Sequence, residues 1–315
     1  MFPILEVIAN YPTRIATSLA SLAFASYYGY NRFYDHTTPD ANPQLYGTPQ
    51  NQDTIYIFSH GLADSYKQAF AFIKDTSQRE PNAPIKPYVI DGPCVIFNYP
   101  DAQEIMARML RVRFAKTSMG QKNEIETFAQ AHEYAKQQGQ KNMVFVGLSR
   151  GAAVIINYLA DTHYDTSDVK AVVLESPFDS FDGVLGDIFA AHPWLAATVK
   201  TAAAYGIPFF KYHKAGKQPI DSAATVRKDL PILIVSSQED GTVPATGTRR
   251  LYDKLRATGH HNTHLLRLEK GQHSKLLHAD GNGDTYYTAT HAFYARYGLP
   301  HDAAAAKKGQ KHLGY

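Results

Sequence analysis

The sequence predicts an α/β fold in which a mostly parallel, twisted sheet carries helices on both faces. Three observations lead there. Short apolar runs alternate with longer helix-like segments along most of the 315 residues, as in repeated strand–helix–strand crossovers. The runs are nearly continuous in Val, Ile, Leu and Phe, which suits strands buried on both sides. Chemistry-bearing side chains fall just beyond several of these runs, at the edge where open parallel sheets place their sites.

The first thirty residues leave two readings open. Residues 15–25 are uncharged and mildly apolar, and Ala23-Phe24-Ala25 resembles a small-residue cleavage site. Glu6 and the late position of Arg14 speak against a secretory signal, and the run is short beside the roughly 20 apolar residues of a bilayer span. It reads either as a signal or anchor, with membrane association through this segment, or as a helix packed on the protein. Residues 30–53, with their Asn, Pro and Thr, read as loop.

The first strand is Thr54-Ile55-Tyr56-Ile57-Phe58-Ser59, which runs into His60-Gly61-Leu62-Ala63-Asp64. A helix is expected over 65–78, a strand over 94–98 and helices over 101–112 and 122–138. Cys94 is the single cysteine, so no intrachain disulfide is available, and it reads as a small core residue. Strands follow at 143–147 and 170–175, with a helix at 150–161 between them. After an insertion over 178–221 come a strand at 231–236, a helix at 245–258 opened by Pro244 and closed by Gly259, a strand at 263–268 and a helix at 286–297.

The most informative segment is Met143-Val144-Phe145-Val146-Gly147-Leu148-Ser149-Arg150-Gly151. A serine on a tight turn between a buried strand and a helix is held in a strained conformation with its Oγ exposed, the geometry of an activated nucleophile. The flanking glycines keep Cβ atoms out of the space where strand and helix meet. A nucleophile needs a base, and the base an orienting acid. Asp240 lies in Ser237-Gln238-Glu239-Asp240-Gly241-Thr242-Val243-Pro244, beyond the 231–236 strand, and His273 lies in Gly271-Gln272-His273-Ser274, beyond the 263–268 strand. The chain order is therefore Ser149, Asp240, His273. Glu239 and Asp179 are weaker candidates for the acid.

These segments, with Phe58-Ser59-His60-Gly61 and Leu174-Glu175-Ser176-Pro177-Phe178, give the chain a resemblance to serine hydrolases of the α/β-hydrolase superfamily. Within it, the chain resembles the branch of prolyl-oligopeptidase-type and serine-aminopeptidase-type hydrolases, membrane-associated acyl hydrolases and depalmitoylases. The likeness spans residues 54–298. It implies Ser149 as nucleophile, His273 as base, Asp240 as acid, and the N–H groups of Leu62 and Arg150 as the oxyanion hole. The expected chemistry is cleavage of a carboxylic ester or thioester, with a peptidase or a non-catalytic binding protein of the same fold as alternatives. The chain departs from the superfamily at its start, where two strands usually precede the His-Gly loop.

The implied organisation is an N-terminal segment over 1–50, one catalytic domain over 51–300 with a helical cap at 178–221, and a flexible tail over 301–315. Phe189, Trp194, Phe209 and Phe210 of the cap are expected to line an acyl pocket for a small-molecule substrate. A formal charge of +3 without a basic, aromatic-interleaved stripe disfavours nucleic acid. No cofactor is expected, because no G-x-G-x-x-G follows a strand. No metal is expected either. The Asp280–Asp284 segment lacks the Gly and Glu of a calcium loop, and His260, His261 and His264 sit on a loop and a strand without matched ligands.

Overall fold

The computed structural model describes residues 42–47, 53–62, 64–74, 87–99, 118–190, 194, 197, 216–279 and 282–314. Among these residues seven strands make one sheet: β1 (Gln44–Tyr46), β2 (Thr54–Ser59), β3 (Cys94–Ile96), β4 (Asn142–Leu148), β5 (Val169–Glu175), β6 (Ile232–Ser237) and β7 (Thr263–Leu268). Their order is β1-β3-β2-β4-β5-β6-β7. The short β1 runs antiparallel to β3, with Leu45 opposite Val95, and every other neighbouring pair is parallel.

The helices are α1 (Lys122–Lys136), α2 (Arg150–Leu159), α3 (Phe181–Ile188), α4 (Pro219–Ser222), α5 (Ala245–Ala257), α6 (Gly283–Arg296) and α7 (Ala303–Gly309). They divide between the two faces because side chains alternate along a strand. Ile55, Ile57, Phe145, Val172 and Ile234 pack with Phe128 of α1, Ile155 of α2 and Leu251 and Leu255 of α5. Their sequence neighbours Tyr56, Phe58, Val144, Val146, Val173 and Val235 face the other way, onto Phe72 and onto Tyr286 and Phe293 of α6. Both faces are covered, which explains the unbroken apolar runs of the central strands, such as Met143–Val146 of β4 and Ala171–Leu174 of β5. Buried Cys94 belongs to the second core.

Four expectations change. The strand β1 falls inside the stretch read as loop; at three residues it is too short for its alternation to be read. The helix expected over 65–78 is a 3₁₀ turn, Tyr66–Ala71. It ends because Ile73 bridges to Ile90 and Lys74 N–H donates to Ile90 O at 2.9 Å. The last helix starts at Gly283 instead of 286, where a Cβ would stand 2.4 Å from Leu277 O.

The residues read as a flexible tail form α7, capped by the Asp302 carboxylate on Ala305 N–H at 2.9 Å. Ala305, Ala306 and Gly309 are buried, and a Cβ on Gly309 would stand 1.9 Å from Thr288 O. The run of small residues is a docking face on α6, where a smooth helix can approach closely. No helix among the described residues is long and apolar enough to cross a membrane. Residues 15–25 and the helix expected over 101–112 lie outside the described residues.

Candidate active site

Ser149 stands between β4 and α2 with φ 54° and ψ −117°, a region that a residue with a Cβ occupies only under strain. Its N–H donates to Glu175 O of β5 at 2.8 Å, and its carbonyl accepts from Ala152 and Ala153. The glycines on either side are sterically required. A Cβ on Gly147 would lie 2.6 Å from Ile155 Cδ1, and one on Gly151 would lie 2.0 Å from Ser59 O. The turn is thus clamped between β2, β5 and α2, which leaves the serine side chain at the C-terminal edge of the sheet.

Asp240 follows β6 and His273 follows β7, on the same edge. His273 Nδ1 donates to Asp240 Oδ2 at 2.8 Å, which turns the other ring nitrogen, Nε2, away from the carboxylate. Ser176 Oγ also donates to Oδ2 at 2.8 Å, while Oδ1 accepts from Thr242 N–H at 2.9 Å and Val243 N–H at 2.8 Å. Burial pushes the Asp240 pKa upward, but the His273 contact and these other hydrogen bonds outweigh it and hold the carboxyl below its ordinary value. The result is a buried, ionised acceptor with both oxygens occupied. Ser149 and His273 line the same cavity. No hydrogen bond joins Ser149 Oγ to His273 among the described residues; the two side chains meet only as lining of the same cavity.

The alternative acids are engaged elsewhere. Asp179 is held by Arg250, with Nε 2.6 Å from Oδ2, and Glu239 accepts from Gly271 N–H at 3.2 Å. Ser176 was not singled out from the sequence. The signal available for it was its place directly after β5, in the Leu174–Phe178 segment.

The loop after β2 reaches the serine. A Cβ on Gly61 would lie 3.7 Å from Ser149 Cβ. Gly61 N–H donates to Gln68 Oε1 at 2.9 Å, and Gly61 O accepts from Arg150 Nη2 at 3.1 Å. Leu62 lines the cavity, and its N–H meets no hydrogen-bond acceptor among the described residues. His60 is buried beneath this loop. Burial, and then the nearby Arg150 charge, lower its pKa to about 3. It is therefore a neutral ring, with Nδ1 donating to Gly61 O at 2.9 Å and Nε2 accepting from Tyr99 N–H at 3.2 Å.

The cavity at Ser149 has a volume of about 310 Å³. Its apolar wall comes largely from Phe181, Val184, Leu185 and Ile188 of α3, with Phe178 and Met119. The insertion over 178–221 thus contributes to the wall, but through other residues than expected. Phe189, the C-cap of α3, and Trp194, half-exposed at 50%, are not among the lining residues. The four lining positions of α3 share one face, at i, i+3, i+4 and i+7, and Phe189 follows the last helical residue with φ −102° and ψ 25°. Phe209 and Phe210 lie outside the described residues.

No protein-family model and no curated protein matches the sequence. Solved structures do resemble it. An esterase from Pyrococcus furiosus superposes with a TM-score of 0.50 at 15% identity, covering 78% of this chain and 83% of that one. An acylaminoacyl peptidase from Pyrococcus horikoshii gives a TM-score of 0.55 at 14% identity, covering 82% of this chain and 40% of the peptidase. At such identities the likeness speaks to the fold. Together with the strand order and the covered parallel sheet, it identifies the chain as having the α/β-hydrolase fold.

Proposed function

We propose that the protein is a serine hydrolase that cleaves carboxylic esters or thioesters through an acyl-enzyme on Ser149. The observation that carries this reading is the His273–Asp240 hydrogen bond at 2.8 Å, in a histidine that shares an apolar cavity with a strained serine at the C-terminal edge of the sheet. Ser149 Oγ attacks the carbonyl carbon while His273 Nε2 takes its proton, and the carbonyl electron pair moves onto oxygen. Asp240 holds the imidazole in the required tautomer and stabilises the imidazolium. Leu62 and Arg150 N–H groups receive the oxyanion, each such donor contributing roughly 3 kcal/mol to the transition state. Collapse expels the alcohol or thiol, which takes the proton back from His273, and water repeats the sequence to release the acid.

The apolar wall supplied by α3 favours an uncharged acyl group as substrate, with α3 forming part of a cap. A peptidase uses the same machinery, as the named activity of the Pyrococcus horikoshii neighbour illustrates. The test is labelling with a fluorophosphonate, together with turnover of p-nitrophenyl esters of graded length, acyl thioesters and aminoacyl anilides. Ser149→Ala should abolish labelling and hydrolysis while the fold persists. Undiminished hydrolysis in that variant eliminates the mechanism. Turnover of anilides alone would replace the esterase reading with the peptidase one.

A further inference from the structure

We propose that the side chain of Arg150 is a positioning residue that aims and polarises the oxyanion-hole donor on the opposite loop. This rests on the acyl-enzyme reading and assigns a second role to a residue whose backbone N–H already serves it.

The guanidinium is fully buried. Its Nη1 donates to Glu124 Oε1 at 3.1 Å, and its Nη2 donates to Gly61 O at 3.1 Å. The cation also sits over the Tyr99 ring, 4.5 Å from the centroid. Glu124 is buried as well, and its other oxygen accepts from Ser118 Oγ and Gly120 N–H. An ion pair sealed this far from water gives little net stability, because desolvation consumes most of the Coulombic gain. What it does provide is a charge at a fixed place.

That charge is spent on one particular peptide. Gly61 O and Leu62 N–H belong to the same planar trans unit, so they point in opposite directions. Arg150 Nη2 anchors the carbonyl end, and neutral His60 Nδ1 anchors it again at 2.9 Å. The amide before it is fixed too, since Gly61 N–H is taken by Gln68 at 2.9 Å. With the carbonyl held away from the cavity, the Leu62 N–H must point the other way, on the side where Gly61 approaches Ser149. A charge-assisted hydrogen bond on the carbonyl is roughly twice as strong as a neutral one. It draws electron density toward the oxygen and leaves the N–H a better donor to developing negative charge. The two halves of the oxyanion hole are therefore mechanically joined: Arg150 offers one donor from its backbone and sets the other with its side chain.

The experiment uses the full chain, p-nitrophenyl butyrate as substrate and octyl trifluoromethyl ketone as inhibitor. Serine addition to that ketone forms the Oγ–C bond, moves the carbonyl pair onto oxygen and passes the serine proton to His273, so its affinity reports the oxyanion hole directly. Arg150→Met should lower kcat by roughly 10- to 100-fold, below the 10²- to 10³-fold loss of a whole donor, and weaken the ketone by the same factor with KM little changed. Arg150→Lys keeps a cation but lacks the planar fork that serves Glu124 and Gly61 together, and should fall between. Because Arg150→Met strands the Glu124 charge, the double variant Arg150→Met with Glu124→Gln removes both charges together and keeps an oxygen for Ser118 Oγ and Gly120 N–H, and it should show the same kcat and ketone losses. A double variant with wild-type kcat, or one whose kcat falls while ketone affinity holds, overturns the inference and leaves Arg150 a structural residue. Ser149→Ala separates the two levels. Hydrolysis surviving there removes the acyl-enzyme reading itself, whereas hydrolysis abolished there but intact in the Arg150 variants removes only this inference.

Discussion

Asp240→Asn isolates the electrostatic part of the proposed mechanism, because the substitution changes almost no volume. Thr242 and Val243 N–H groups donate to Oδ1 at 2.9 and 2.8 Å, so the asparagine must keep its oxygen there. The amide NH₂ then replaces Oδ2 and faces Ser176 Oγ and His273 Nδ1, each 2.8 Å from that position. The serine hydroxyl can rotate to accept. The imidazole has to exchange its proton, so that Nδ1 accepts and Nε2 carries the hydrogen. A protonated Nε2 cannot take a proton from Ser149. The expected loss in kcat is on the order of 10⁴-fold, about 5 kcal/mol of transition-state stabilisation, with KM and thermal stability changed far less. The assay is steady-state hydrolysis of a p-nitrophenyl ester, with Asp179→Asn as control because Asp179 is committed to Arg250. A kcat for Asp240→Asn within about tenfold of wild type would refute the tautomer argument. A large loss in Asp179→Asn instead would move the acid to the loop after β5.

Other expectations come from the same structure. Glu175 is fully buried, faces Asp240, Tyr286 and Leu276 N–H without a hydrogen bond of ordinary geometry, and burial raises its pKa from 4.5 to about 8. A raised carboxyl pKa makes its stabilising contribution complete below pH 4.5 and lost as pH rises through 8; urea denaturation at pH 5 and pH 9 should show Glu175→Gln losing less stability than wild type over that span, and parallel losses would contradict the assignment. Gly151→Ala should lower stability by about 1–3 kcal/mol and impair turnover, since its Cβ would meet Ser59 O at 2.0 Å; an unchanged melting temperature speaks against this packing. Val184→Trp should fill the cavity of about 310 Å³ and depress turnover of long p-nitrophenyl esters more than of the acetate, whereas equal losses at every chain length would separate α3 from acyl binding.

The sequence by itself determined the β2 and β4–β7 strands and their parallel arrangement, because the central runs are apolar enough to be buried on both faces, the edge run of β7 carries its apolar residues in the same strand–helix alternation, and each is local enough to be read within a window of six or seven residues. It also placed Leu62, Ser149, Asp240 and His273 directly after strand-like runs, and parallel strands deliver such positions to one edge. Only the tertiary structure decided how those positions are served. Arg150 reaches Gly61 across 89 positions and Glu124 across 26, and Ser176 reaches Asp240 across 64. No local pattern encodes such pairings, because each depends on which loops the sheet order brings together. The cavity wall is a similar case. The aromatic content of the insertion drew attention to Phe189 and Trp194, but the orientation of α3 presents Phe181, Val184, Leu185 and Ile188. The alanine run before Gly309 looks structureless alone and becomes ordered because α6 offers a backbone surface that only small residues can approach. Composition reports what a segment can bury, and the neighbouring element decides what it does bury.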